Sequence, residues 1–248
     1  MVPDRLIDVK GLTAIIDDRR ILSDISFHVN KGEIMVILGS SGSGKTTLLK
    51  HLLGLYSPEK GVVSVLGKNP SQLDEKEESQ FYRQLGVFFQ EGALLNSLTV
   101  GENIALPLEQ HTNLPAALIE NIVSLKLKLV NLSDYSHLFP TQLSGGMLKR
   151  AALARAIVQD PLLLFCDEPG AGLDPIAMAS LDELIVNMQK LLGMTVVMVT
   201  HEVSSILRTA NRIIFLEEGR IIFTGTVKGA LESDNHSVKE FFKTRRGE

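Results

Sequence analysis

The stretch GSSGSGKTT, Gly39 to Thr47, decides how this chain folds. It follows the apolar run Ile34 to Leu38 and precedes Leu48, Leu49, Leu52 and Leu53 at helical spacing, so a Gly-rich turn joins a buried strand to a helix N-terminus. Gly39, Gly44, Lys45 and Thr46 meet the pattern G-x-x-x-x-G-K-[ST]. Glycines let backbone N–H groups converge on an anion, and the helix end adds unpaired donors and about half a positive charge. Ser40, Ser41, Gly42, Ser43 and Thr47 complete the cradle. Lys45 would reach the β and γ phosphates of a nucleotide, and the Thr46 hydroxyl would ligate Mg²⁺. A plain Gly/Ser turn is the competing reading, and the strand before and helix after disfavour it.

A chain of 248 residues with 44% hydrophobic content can bury the core of one domain, with or without an insertion. Its net charge of -4 argues against non-specific binding of nucleic acid, so no nucleic-acid partner is expected. The single cysteine, Cys166, fits a reducing compartment, and inside LLLFC it reads as a buried structural thiol. The opening MVPDRLIDVK has acids and no apolar core, unlike a signal peptide, and no run reaches the length of a membrane span. Any service to a membrane is expected from its surface or through a partner.

Taken in order, Leu6 to Val9, Ile21 to Val29 and Glu33 to Leu38 read as strands of an antiparallel layer feeding a first parallel strand. Val62 to Leu66 is a strand, Asp74 to Glu78 opens a short helix, and Gly86 to Phe89 makes a strand ending at Gln90. From Glu91 to Gln142 the pattern turns helical, punctuated by Pro107 and Pro115, with Leu118, Ile122, Leu125 and Leu129 expected in a bundle core. Helices at Met147 to Val158, Ile176 to Leu192 and Val203 to Ala210 then alternate with strands at Leu162 to Cys166 and Thr195 to Val199. A closing hairpin of Ile213 to Leu216 and Ile221 to Thr224 turns at Glu218 and Gly219. Strands this apolar want cover on both faces, which predicts an α/β fold with a parallel sheet between helices and ligands at the strands' C-terminal ends.

At one such end stand Asp167 and Glu168. In phosphate-loop ATPases an apolar strand delivers one carboxylate to Mg²⁺ and a second to the attacking water. The run LSGGM, Leu143 to Met147, heads a strongly helical segment; Ser144 can cap it, and Gly145 and Gly146 permit close backbone approach, giving a second helix N-terminus suited to an anion.

Together these residues resemble the ATP-binding cassette family over roughly residues 5 to 230. GSSGSGKTT looks like its Walker A, Gln90 its Q-loop glutamine, LSGGM its signature, LLLFCDE its Walker B, Gly172 to Asp174 its D-loop and His201 its switch histidine. The resemblance implies a P-loop NTPase of cassette type: one domain, 1–248, with an antiparallel β layer and a helical subdomain inserted at 91–160. It implies ATP and Mg²⁺ as cofactors and a head-to-tail homodimer, each ATP lying between one subunit's Walker A and the other's signature. Carried over, Glu168 is the general base, His201 the γ-phosphate sensor, and Gln90 a ligand of Mg²⁺ or water. Asp167 and Thr46 are metal ligands, and Ser144 with Gly146 reaches across the dimer. Asp174 would contact the other subunit, although before Pro175 it equally suits a helix N-cap. The family usually stacks an aromatic on adenine from the first β layer; here Thr13 to Asp17 reads TAIID and offers apolar contact alone.

Met147 stands where most such transporters have glutamine. With FFQEGALLNSLTVGENIALPLEQHT and DEPGAGLDPI it resembles the ATPases of MCE-type, Mla-like lipid transporters. That likeness implies a phospholipid cargo, an integral-membrane permease, an MCE-domain lipid carrier, a small regulatory subunit, and a place on the cytoplasmic face of the inner membrane. The competing readings are a cassette for another cargo, such as an amino acid or lipoprotein, and a soluble cassette in assembly, as in iron-sulfur cluster assembly. The tail from Ser237 sets Val238, Phe241 and Phe242 at helical spacing, followed by Lys243, Arg245 and Arg246, and predicts a terminal helix that packs its aromatics inward.

Overall fold

The computed structural model describes residues 4–244; Arg245 and Arg246 lie outside the described residues. The elements run β1 (Arg5–Ile16), β2 (Arg19–Asn30), β3 (Ile34–Gly39), α1 (Lys45–Leu52), β4 (Lys60–Val65), α2 (Glu75–Tyr82), β5 (Leu85–Phe88), α3 (Val100–His111) and α4 (Ala116–Leu129). Then follow α5 (Gly145–Ala156), β6 (Leu163–Asp167), α6 (Pro175–Leu192), β7 (Thr195–Val199), α7 (Val203–Thr209), β8 (Arg212–Glu217), β9 (Arg220–Thr226), α8 (Val227–Leu231) and α9 (His236–Thr244). They gather into two units, one combining the chain up to Phe81 with the chain from Thr195, the other Tyr82–Met194.

In the first unit β1 lies between β2 and β4, antiparallel to both. The strand buries Ile7 and Val9, then Leu12 and Ala14. That change of phase follows a bulge between Val9 and Leu12, where the extra residue flips the period-two pattern without exposing the apolar side chains. A second sheet sets β3 between β7 and β8, parallel to each, with Ile37 opposite Val199 on one side and Ile214 on the other. Every residue of β3 and β7 is buried, as expected of parallel strands covered on both faces. The hairpin of β8 and β9 turns at Glu218 and Gly219, where the spacing placed it. The terminal helix is there too: α9 buries Val238 and Phe242 and sets Phe241 edge-on to Phe215, with centroids 5.2 Å apart.

The second unit holds the parallel pair β5 and β6 and four helices, with α5 packed on α3, α4, α6 and β5. Two expectations fail here. Pro107 does not interrupt a helix but lies inside α3, which is held by a Thr99–Glu102 capping box and by buried Ile104, Ala105 and Leu108. The stripe Leu118, Ile122, Leu125, Leu129 is not core: Leu118 is 44% and Leu125 55% exposed. The face that α4 buries is Ile119, Val123 and Leu127, with Lys126 paired to Asp160. Apolar residues cover more than half of the helix circumference, so spacing alone allowed either stripe, and packing chose the one a residue further on. Among the described residues no helix is long and apolar enough to cross a membrane.

Candidate functional site

The loop after β3 is shaped by what cannot fit there. A Cβ on Gly39 would fall 2.0 Å from the carbonyl oxygen of Leu216 on the neighbouring strand, so only glycine lets the chain leave the sheet at this point. Gly44, at φ +101°, heads α1 and makes no side-chain cap, the kind of helix end at which anions bind. Lys45 curls back over the loop, its ammonium 3.0 Å from the carbonyl oxygen of Gly39 and 2.9 Å from that of Ser40. The Ser43 hydroxyl is buried and has no hydrogen-bond partner among the described residues. Ser40, Ser41, Gly42 and Thr46 are exposed at the rim, and Thr47 is half-buried.

His201 belongs to the same unit, just beyond β7. It is exposed, with Nε2 3.6 Å from a Glu202 carboxylate oxygen. Thr13 to Asp17 ends β1 and enters its turn, and a cavity of 310 Å³ there is lined by Ile15, Ile16, His51 and Tyr56. Tyr56 sits edge-on to His51 at 5.7 Å. Sequence spacing gave no sign of this aromatic, which follows Ile16 by some forty residues and arrives only through the packing of α1 on the β layer.

In the second unit β6 ends at Asp167, and Glu168 follows it, both half-buried. Glu168 is held at φ +44°, a left-handed conformation uncommon outside glycine. Behind them Cys166 is fully buried. Desolvation first, then the charges of Asp167 and Asp182, push its thiol far above the ordinary cysteine range, so it is no nucleophile. Ser144 caps α5, its hydroxyl accepting from the Met147 N–H at 3.3 Å, and Gly145 and Gly146 form the first turn. Asp174 caps α6, one carboxylate oxygen accepting from the N–H groups of Ile176 and Ala177 at 2.9 and 3.0 Å.

Gln90 lies past the end of β5, which closes at Phe88 rather than running on to it. Its main-chain carbonyl accepts a hydrogen bond from the ammonium of Lys149, a buried lysine of α5 that spacing did not single out. Thr46 offers a hydroxyl in the first unit, and Gln90 and Asp167 offer an amide and a carboxylate in the second, each an oxygen donor of the kind Mg²⁺ takes. Among the described residues no group of three or more His, Cys, Asp and Glu side chains could hold a metal ion.

Comparison with known proteins agrees with this architecture. The ABC transporter family profile matches residues 22–171. The chain is 40% identical over 238 residues to the intermembrane phospholipid transport system ATP-binding protein MlaF of Haemophilus influenzae, covering 96% of this chain and 90% of that protein. It is 39% identical over 240 residues to the probable ribonucleotide transport ATP-binding protein mkl of Mycobacterium leprae, covering 97% and 69%. Among solved structures, the dimeric ATP-binding cassette MJ0796, in a post-hydrolysis state with ADP and Pi, superposes with a TM-score of 0.80. It is 28% identical, with 89% of this chain and 98% of that chain covered. The chain therefore belongs to the ABC transporter family, as one of its ATP-hydrolysing cassettes.

Proposed function

We propose that this chain energises phospholipid transport between membranes, working as a homodimer beneath an integral-membrane permease that serves an MCE-domain lipid carrier, with a small regulatory subunit attached. The observation that carries the cargo is the likeness to MlaF over nearly the whole of both chains. The place implied is the cytoplasmic face of the inner membrane. We read the chain as a single cassette with its helical subdomain at 91–160.

In this reading Lys45 releases the carbonyls of Gly39 and Ser40 to bind the β and γ phosphates, while the glycine loop and the head of α1 donate N–H groups to them. Thr46, Asp167 and Gln90 would hold Mg²⁺, which would supply charge neutralisation at the phosphate oxygens. Glu168 accepts a proton from the attacking water, and His201 contacts the γ-phosphate. Ser144, Gly145 and Gly146 of a second copy close over that phosphate, and Asp174 faces the other subunit. Ile15 and Ile16 give the base an apolar shelf.

A second reading has one observation in its favour: the mycobacterial relative is named for ribonucleotide transport. Affinity purification of the tagged chain from its own membranes separates the two. A permease carrying phospholipid supports the first reading. A complex that lacks phospholipid, and whose ATP turnover rises with an added ribonucleotide other than ATP, overturns it.

A further inference from the structure

The loop that carries Gln90 is held by its main chain, and two of the side chains that hold it come from α5. Lys149 donates to the carbonyl of Gln90. Arg155, further along the same helix, donates to the carbonyls of Ala93 at 2.6 Å and Gly92 at 2.9 Å. A Cβ on Gly92 would meet the Ala152 Cβ at 3.2 Å, so loop and helix touch between the two cations. On the far side Asn103 of α3 pins Leu95, accepting from its N–H at 2.7 Å and donating to its carbonyl at 3.0 Å. Three carbonyls of one short loop thus point at two cationic side chains of one helix.

Lys149 is an expensive residue to place there. It is 6% exposed, and its ammonium sits against the Gln90 carbonyl and 5.7 Å from the centroid of the Phe88 ring. Desolvation lowers its pKa, offset in part by Glu91 and Glu168. A charge-assisted bond to a carbonyl in so dry a place is strong and directional. The helix it stands on begins at Ser144.

We propose that Lys149 is a positioning residue for Gln90: it makes the glutamine's backbone follow α5, so that displacement of the helix headed by Ser144 to Gly146 is delivered to Gln90 as a rigid-body shift. Arg155 makes the same tie two residues further along the loop. The consequence is a mechanical link between the end of the chain's own signature helix and the glutamine, independent of any side chain of the loop. This rests on the role given to Gln90 above.

The test is steady-state ATP turnover of the full chain in the parent, Lys149→Met, Lys149→Arg, Gln90→Ala and the double variant Lys149→Met with Gln90→Ala. Lys149→Met should lower kcat about tenfold with KM for ATP held within about twofold, and Lys149→Arg should recover most of it. The double variant should be no slower than Gln90→Ala, because the lysine acts through the glutamine. Parent-like turnover in Lys149→Met beside an impaired Gln90→Ala overturns the proposal, as do losses that multiply in the double variant or an arginine that fails to rescue. Hydrogen exchange of the peptide spanning 88–95 keeps the tie testable where turnover is silent. It should quicken at least about threefold in Lys149→Met and return in Lys149→Arg. A Gln90→Ala variant as fast as the parent removes the role given to Gln90, and unchanged exchange in Lys149→Met removes the tie itself.

Discussion

The ammonium of Lys45 lies 3.0 Å from the carbonyl oxygen of Gly39, the first residue of its own loop. The same ammonium lies 2.9 Å from the carbonyl oxygen of Ser40, so the side chain is folded back over the loop that would cradle a phosphate. Lys45→Ala should cost about 2–3 kcal/mol of nucleotide affinity, the worth of hydrogen bonds to a charged group. Titration with a fluorescent ATP analogue reads this as a loss of roughly 30- to 160-fold. Because Lys45 is only half-buried, urea unfolding of the nucleotide-free variant should shift by no more than about 0.5 kcal/mol. Undiminished affinity would refute the phosphate-cradle reading.

Glu168 stands in a left-handed turn directly after the strand that ends at Asp167. Glutamine keeps the shape of the side chain and removes its ability to take a proton. Glu168→Gln should therefore lower kcat at least about 100-fold while ATP affinity stays within about threefold of the parent. Size-exclusion chromatography in ATP should show a dimer that persists instead of turning over. A variant that hydrolyses like the parent would remove the base assignment.

The loop, the acid pair and the capped glycines were legible because their chemistry fixes residue type and local order together. A strand, a glycine turn and a helix N-terminus announce themselves within nine residues. The orientation of α4 was not legible, because Leu118, Ile122, Leu125 and Leu129 carry the same spacing as a buried stripe. Only the pairing of Lys126 with Asp160 and the packing of Ile119, Val123 and Leu127 show which face turns inward. Tyr56, Lys149 and Arg155 escaped for a related reason: each acts on a partner distant in sequence. The two faces of α4 give a direct check by urea unfolding. Leu127→Ala, at a side chain 1% exposed, should cost about 2–5 kcal/mol, whereas Leu125→Ala, at one 55% exposed, should stay within about 0.5 kcal/mol.

Asp174 accepts two N–H groups at the start of α6, ahead of Pro175. Asp174→Ala should cost about 1 kcal/mol, or roughly 2–4 °C in Tm for a chain of this size. Asparagine caps a helix about as well as aspartate, so Asp174→Asn should keep the parent's Tm. The pair of variants then separates two roles. Slow turnover in Asp174→Asn at full stability would assign the carboxylate charge a task between subunits, while turnover that tracks Tm in both variants would leave it a cap alone.

Cys166 supplies a pH test of the sheet's interior. A thiol reacts as its thiolate, and burial, with Asp167 and Asp182 adding negative charge, pushes this group's pKa up and so disfavours the thiolate across the working range. The native protein should resist a soluble alkylating reagent from pH 7 to pH 9, with a rate at least about 100-fold below that of the urea-unfolded chain, where ordinary cysteine ionisation returns. Because folding raises the thiol's pKa, its contribution to stability is present below the unfolded pKa and falls as pH climbs above it. Raising the pH beyond about 8.5 should therefore lower the stability of the parent relative to Cys166→Ala, with urea midpoints of the two converging. Rapid native alkylation at pH 7 would show that the thiol is not sealed beneath the two carboxylates.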